Sequence, residues 1–443
     1  MTAANCAADL RIVRVGVCWI AQRDSTVVIN MKRLHLALAV VFLTAAASAG
    51  VHAQGLPEPL TLADVIRVAG ERRDEVQAAL ARARAGEQRP TIVSALDDPM
   101  ISPSLDHLPF MWGGANWSVT IEQQIPLSGI RDHRRVGALA DLDRLNAEAG
   151  RSTLDVGLQA ANAFFMLQER RRTTTLLAEQ LTFAREVVSA ANARYSSGTA
   201  PQADVLRGEL EVARLEAVEK SLVGQVRAAE AMLNASLALD PDTRVPPLAP
   251  LEVIEPPPWP AIKAALVQRP ELAAGRAEIR RAEADIAVMR DMFRPMAIIR
   301  TGPAYTMTEG KGWMAMVGLS LPIWRDKLRA GVAEAEAMRA MSEADLRAMT
   351  RMIESDAAVA ISQLLATRDR QTSLVSNVIP RARIAIAPAV AGYSTGQLPL
   401  VSVIEAVQAL WLMQADLIAA DTELGLAWAR LGRAIGSYEA ITK

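Results

Sequence analysis

From Trp117 to Ile125 the chain alternates. Trp117, Val119, Ile121 and Ile125 fall on one side, and Ser118, Thr120, Glu122 and Gln124 on the other, the two-faced pattern of a strand. Trp313, Ala315, Val317, Leu319 and Leu321 alternate in the same way with Met314, Met316, Gly318 and Ser320. Partner strands are expected at about Met100–Leu105 and Ala297–Tyr305, with Glu309-Gly310-Lys311-Gly312 as the turn of the second hairpin. Elsewhere the period is helical. Thr61 to Gln88 is rich in Ala, Arg and Glu, with Thr61 and Asp64 as an N-cap signal. No proline occurs from Gly129 to Arg194, and a helix there reaches about 100 Å at ~1.5 Å per residue. Its counterpart runs from about Lys327 to Gly392, where Pro380 and Pro388 are expected to kink or interrupt it.

Each long helix is followed by another, at Gln202–Leu239 and Leu400–Ile435. Apolar residues there step by three and four: Leu215, Val218, Leu222, Val226, Ala229 and Leu233, then Val403, Val407, Leu410, Leu417, Leu424, Trp428 and Leu431. Gln414 and Asp421 interrupt the second series. Such a seam must be met by a neighbouring helix.

These elements occur twice. Tyr195-Ser196-Ser197-Gly198 followed by Pro201 recurs as Tyr393-Ser394-Thr395-Gly396 followed by Pro399, and Ile125-Pro126-Leu127 recurs as Leu321-Pro322-Ile323. The unit is close to 200 residues, too long for a solenoid repeat. The expected organisation is a first repeat over 54–239, a connector over 240–260 carrying eight prolines, and a second repeat over 261–443.

The N-terminal segment reads as a leader. Met31-Lys32-Arg33 is basic, Leu36 to Ala47 is apolar, and cleavage is expected before Gln54, so residues 31–53 form a signal peptide and translation is expected to begin at Met31. Cys6 and Cys18 precede it, leaving an exported chain without disulfides, zinc–thiolate sites or a lipid-anchoring cysteine. The formal net charge of −1 supplies no basic field for nucleic acid. No uninterrupted apolar run has the length of a membrane helix. Four strands cannot close a barrel, yet open edges are not viable in a bilayer. A membrane role therefore requires several copies closing one barrel, apolar outside and polar within.

Enzymatic chemistry is not expected. His107 and His133 lack metal-ligand spacing, Asp97-Asp98 before Pro99 reads as a turn, Gly113-Gly114 has no phosphate-loop context, and no nucleophile triad or cofactor motif occurs. Met314 and Met316, on the polar side of a strand, are the residues whose thioethers suit soft ions, although methionine is equally a flexible apolar filler.

The duplicated strand-strand-helical-hairpin plan resembles the TolC-like outer-membrane efflux family, including its heavy-metal branch. So do the Tyr-x-x-Gly turns followed by Asp204-Val205-Leu206 and Val403-Ile404-Glu405-Ala406, and the strand exits at Pro126 and Pro322. The match covers about 60–437. It implies a mainly α fold with a small β part, assembled as a homotrimer. An outer-membrane β-barrel of four strands per chain would be continued by a periplasmic α-helical tunnel. It further implies passive efflux without a cofactor, with a periplasmic adaptor and an inner-membrane pump of the resistance-nodulation-division type as partners.

Site residues carry over only in part. Tyr393 matches the family's linking tyrosine, whereas the position five beyond it, arginine in the best-known member, is Leu398. Of two acidic ring positions Glu405 keeps a carboxylate and the other is Ser402, while Asp204 matches the acid after the first turn. The resemblance thus implies a constriction at Glu405 and Asp204, near Ser402 and Tyr393. It places adaptor docking at Tyr195, Gly198, Tyr393 and Gly396. The tyrosines equally serve as staples of their turns, with both glycines left-handed. A type I secretion duct shares this plan. A periplasmic adaptor or coiled-coil structural protein is the other class, with too few strands and one hairpin too many to match an adaptor.

Overall fold

The computed structural model describes residues 56–106, 115–250 and 255–438. The leader, both cysteines, His107 and Gly113-Gly114 lie outside the described residues. The chain opens with α1 (Leu62–Arg72), where the Thr61 hydroxyl accepts from the amide of Asp64 as the capping signal predicts. The expected single helix breaks at Arg73, whose backbone is extended, and resumes as α2 (Asp74–Ser94).

Strands β1 (Met100–Asp106) and β2 (Asn116–Pro126) precede α3 (Ile130–Ser196) and α4 (Gln202–Ser236). The second repeat follows as α5 (Trp259–Leu266), α6 (Pro270–Asp291), β3 (Met296–Thr306), β4 (Gly310–Ser320), α7 (Arg325–Ser373), α8 (Ile379–Ser394) and α9 (Leu400–Ile435). The duplicated unit expected from the repeated motifs is thus present in mainly helical form. The second hairpin turns earlier than expected, since Gly310 to Gly312 already belong to β4.

All four strands form one antiparallel sheet in the order β1-β2-β3-β4, the two repeats meeting at β2 and β3. That junction is tight. A Cβ on Gly302 would stand 2.0 Å from the carbonyl oxygen of Val119, so only glycine fits.

The long proline-free stretch is one continuous 67-residue helix. Its counterpart is not. A five-residue π-helical segment, Leu374–Val378, separates α7 from α8 immediately before Pro380, whose missing N–H and ring disfavour a regular turn there. Pro388 lies within α8 without ending it.

The largest core is built midway along the helices, where Phe164 and Phe165 of α3, Leu233 of α4, Ile353 and Leu364 of α7 and Trp428 and Leu431 of α9 are buried together with Val65 of α1 and Ile262 of α5. Most seam residues are buried as predicted. Val218 is not: it is exposed, because the stripe that meets α3 passes through Leu215 and Leu222. Asp421, which interrupts the other seam, accepts from Arg172 of α3 (2.6 Å) and Gln371 of α7 (3.1 Å), joining three helices.

Two helical stretches, Arg325–Ser394 and Leu400–Ile435, are long and apolar enough on average to cross a bilayer, though neither is an uninterrupted apolar run. Alanine and leucine spread along both raise the average although charged residues interrupt each run. Leu424, Trp428 and Leu431 of the second are committed to the core.

Candidate functional site

Two regions collect the residues singled out by sequence: the sheet and the hairpin tips. In the sheet, register aligns Glu122 with Arg300 and Arg300 with Met316, and Ser118 with Ala304 and Ala304 with Gly312. Period-two alternation keeps these rows on one face. Arg300 donates from Nε to Glu122 Oε2 at 2.9 Å, and its terminal nitrogen makes a second, shorter contact to the same oxygen. Thr120 and Glu122 are buried, and Met314 shares their face opposite Gly302.

The opposite face is apolar and uncovered. Trp313 is 70 % and Val317 75 % exposed, with Ile101, Leu105, Trp117, Val119, Ile121, Ile299 and Leu319 also exposed. Trp117 stacks near Tyr305 with ring centroids 6.4 Å apart, and Trp313 Nε1 donates to Thr301 Oγ1 at 2.7 Å. A folded sheet in water hides its apolar face. This one exposes its apolar face, buries Thr120 and Glu122 on the polar one and, among the described residues, leaves β1 and β4 as open edges.

At the far end of the helices the two turns fold alike. Gly198 and Gly396 both have φ +78°, and their amides donate to the carbonyls of Tyr195 and Tyr393. The turns differ just before the tyrosine, where Arg194 in the first corresponds to Gly392 in the second. Arg194 crosses to the second turn. Its guanidinium carbon lies 4.4 Å from the centre of the Tyr393 ring, and Nη1 donates to the Tyr393 carbonyl. Nη2 donates to the Thr199 carbonyl of its own turn at 3.2 Å. Gly392 leaves room for Leu398, whose Cδ1 would stand 2.7 Å from a Cβ there.

Tyr393 is 8 % exposed, within a small core of Ala191, Val205, Ala389, Leu400, Val403 and Val407. Its hydroxyl is buried without a hydrogen-bond partner. Burial, reinforced by the charge of Asp204 and opposed by Arg194, raises the phenol above its ordinary pKa. Asp204 is itself 5 % exposed, with Arg207 4.0 Å away.

The structure therefore brings Tyr393 and Asp204 together and adds Arg194. Glu405 is exposed, Ser402 is half-buried, and neither joins that cluster within one chain. Tyr195, unlike its counterpart, is exposed. Sequence reasoning searched after Tyr393 for an arginine and missed Arg194. The signal was the Arg-Tyr against Gly-Tyr difference between the repeats.

Among the described residues no three of His, Cys, Asp and Glu converge on a metal site. His133 instead faces Asp291, Nδ1 to Oδ2 at 2.8 Å.

Residues 261–437 match the model of the outer membrane efflux protein family. No curated protein matches the chain in sequence. Solved structures share the fold. The outer-membrane channel OprN superposes with a TM-score of 0.73 at 16% identity, covering 85% of this chain and 90% of that one. The outer membrane protein VceC of Vibrio cholerae gives 0.71 at 16%, covering 85% and 96%. CusC, described through conformational changes in folding and transmembrane channel formation, gives 0.74 at 13%, covering 85% and 92%. Residues 261–437 thus match the outer membrane efflux protein family, and the chain over both repeats shares its fold with solved outer-membrane channels.

Proposed function

We propose that the chain, exported by its leader at 31–53, is the outer-membrane channel of a tripartite efflux pump, a passive duct from periplasm to exterior. The inverted sheet carries this reading: an exposed apolar face, a polar face holding the Glu122–Arg300 pair, and two open edges. Three copies, twelve strands in all, pair those edges into one barrel with lipid outside and water inside. The helical hairpins continue it as a periplasmic tunnel whose tips, at Tyr195, Gly198, Tyr393 and Gly396, meet a periplasmic adaptor and through it an inner-membrane pump. Glu405, near Ser402, forms the constriction ring, and Asp204 with Tyr393 and Arg194 holds each chain's two tips together. The cargo class is metal ions or small toxic compounds, with Met314 and Met316 on the barrel's polar face as the soft-ion contacts.

Detergent extraction of outer membranes tests the duct. A heat-stable trimer that conducts in planar bilayers is expected, whereas release of the protein by salt alone would overturn the reading. Growth of a deletion strain against copper, silver, zinc, cobalt and a drug panel identifies the cargo.

A further inference from the structure

The sheet register aligns three strand ends at one level, Pro126 opposite Met296 and Met296 opposite Ser320. The start of α3, the end of α6 and the start of α7 therefore lie just beyond one rim of the sheet. Side chains agree. His133 of α3 reaches Asp291 at the end of α6, and a Cβ on Gly331 of α7 would stand 3.5 Å from the sulfur of Met289 in α6.

Beyond that rim two kinds of exposed residue follow in order. First, the apolar series of the sheet's outer face runs on past the strands through Leu127, Leu321 and Ile323 to Trp324, which is 75 % exposed. Then come cations. Ile130-Arg131-Asp132-His133-Arg134-Arg135 in the first repeat and Trp324-Arg325-Asp326-Lys327-Leu328-Arg329 in the second each carry three Lys or Arg against one aspartate.

Arg131 donates to the Ser94 carbonyl and Arg329 pairs with Asp326. Arg134, Arg135, Arg325 and Lys327 are exposed and have no ion pair or side-chain hydrogen bond among the described residues. Nothing in the helices favours them there. They occupy the first two turns of α3 and α7, where the macrodipole prefers anions. Both repeats place such cations just beyond the apolar belt, which in the second repeat ends in Trp324, and this order fits the headgroup layer of a bilayer. There an indole sits at the interface, and Lys and Arg extend their apolar stems towards phosphate.

We propose that segments 130–135 and 323–329 form a collar that binds anionic phospholipid in the periplasmic leaflet of the outer membrane. Phosphate-bearing headgroups lie against Arg134, Arg135, Arg325 and Lys327, and Ile323 and Trp324 enter the acyl boundary. The collar rests on the membrane reading of the sheet and specifies the lipid that the sheet's rim selects. Each cation near an anionic surface contributes severalfold to affinity, weakening with salt.

The full-length protein, purified in neutral detergent, is titrated with phosphatidylglycerol or phosphatidylcholine, bound lipid being counted by native mass spectrometry. Reconstitution into pure phosphatidylcholine vesicles is the control. Wild type is expected to prefer phosphatidylglycerol by at least about tenfold, the preference shrinking as salt rises. Arg134→Gln/Arg135→Gln and Arg325→Gln/Lys327→Gln each lose part of it, and the quadruple variant approaches parity while keeping the heat-stable oligomer and its conductance. Absence of preference in the wild type, or a preference undiminished in the quadruple variant, overturns the collar. A protein that does not insert into the phosphatidylcholine vesicles overturns the membrane reading itself, whereas insertion there without lipid preference in the titration removes only the collar.

Discussion

Arg194 and Gly392 occupy the same place in the two repeats, and the exchange between them ties the turns together. A cation over a ring contributes about 0.5–2 kcal/mol, and a charged hydrogen bond about 1.5–3 kcal/mol. Arg194 makes both towards Tyr393. Arg194→Ala is expected to speed amide exchange of residues 389–403 about thirtyfold, equivalent to about 2 kcal/mol, with little change in the melting temperature set by the larger core. Unchanged exchange would remove Arg194 from the link. Tyr393 adds a pH dependence. Its raised pKa means that the fold favours the neutral phenol, so this stabilisation is complete below the ordinary tyrosine value of 10.0 and declines as the pH rises above it. Alkaline loosening of the tip is expected in wild type and absent in Tyr393→Phe; the same loosening in both would assign it to another group. The repeat itself made Tyr393 and both glycines legible from sequence. Arg194 was hidden because its partner lies 199 positions away, a proximity set by packing of the two hairpins rather than by either motif.

Helices and strands were more legible than the joints between them. Alternation located β2 and β4 because one face must be apolar, and the absence of proline marked α3. The seams predicted burial at most positions, with Val226 and Leu417 half-buried and Val218 exposed, since spacing alone cannot distinguish one rotation of a helix from its neighbour. The π-helical segment was foreshadowed only by Pro380. It is an extra residue accommodated in a helix, so deletion of Val375 together with Pro380→Ala restores an unbroken α-helix while preserving register on both sides. If that segment is the hinge on which α8 swings, the straightened channel opens severalfold less often in single-channel recordings; equal open probability would show that the bend is not used.

A second joint holds the middle. Glu271 of α6 accepts from Arg269 (2.8 Å) and from Arg433 of α9 (2.7 Å), and Arg433 also donates to Asp155 of α3 at 2.6 Å. Burial alone would raise the Glu271 pKa, but hydrogen bonds from Arg269, the backbone and Arg433 overcome it and hold the carboxyl at about 2 against 4.5. The folded pKa is depressed, so the stabilisation is present above about pH 4.5 and lost as the pH falls through about 2. With partial solvent screening it is on the order of 2 kcal/mol. Glu271→Gln should flatten that part of the melting-temperature profile between pH 5 and 2, and a profile parallel to wild type would place the acid sensitivity elsewhere.

At the scale of the whole molecule the two repeats differ in what each supplies. Both contribute strands and a helical hairpin, and both carry the cationic segments at the sheet rim. Only the second has the π-helical break and Glu405, while the first supplies Asp204 and the arginine that reaches across. In the proposed trimer the second hairpin is therefore the one equipped to bend, and the first is the straight wall it is fastened to. Glu405 is exposed in the single chain and makes no ion pair among the described residues, which leaves it available to the proposed pore. Three such carboxylates around an axis favour cations and bind divalent ions. In the proposed ring, Glu405→Gln removes three charges without altering the Arg194–Tyr393 link. The expected result in planar bilayers is a severalfold fall in cation-over-anion permeability and relief of divalent-ion block, with amide exchange at the tips unchanged. If selectivity and block stay at wild-type values, the narrowest charged ring lies elsewhere. Asp204→Asn then becomes the discriminating variant, because Asp204, buried beside Tyr393, should change tip exchange and selectivity together.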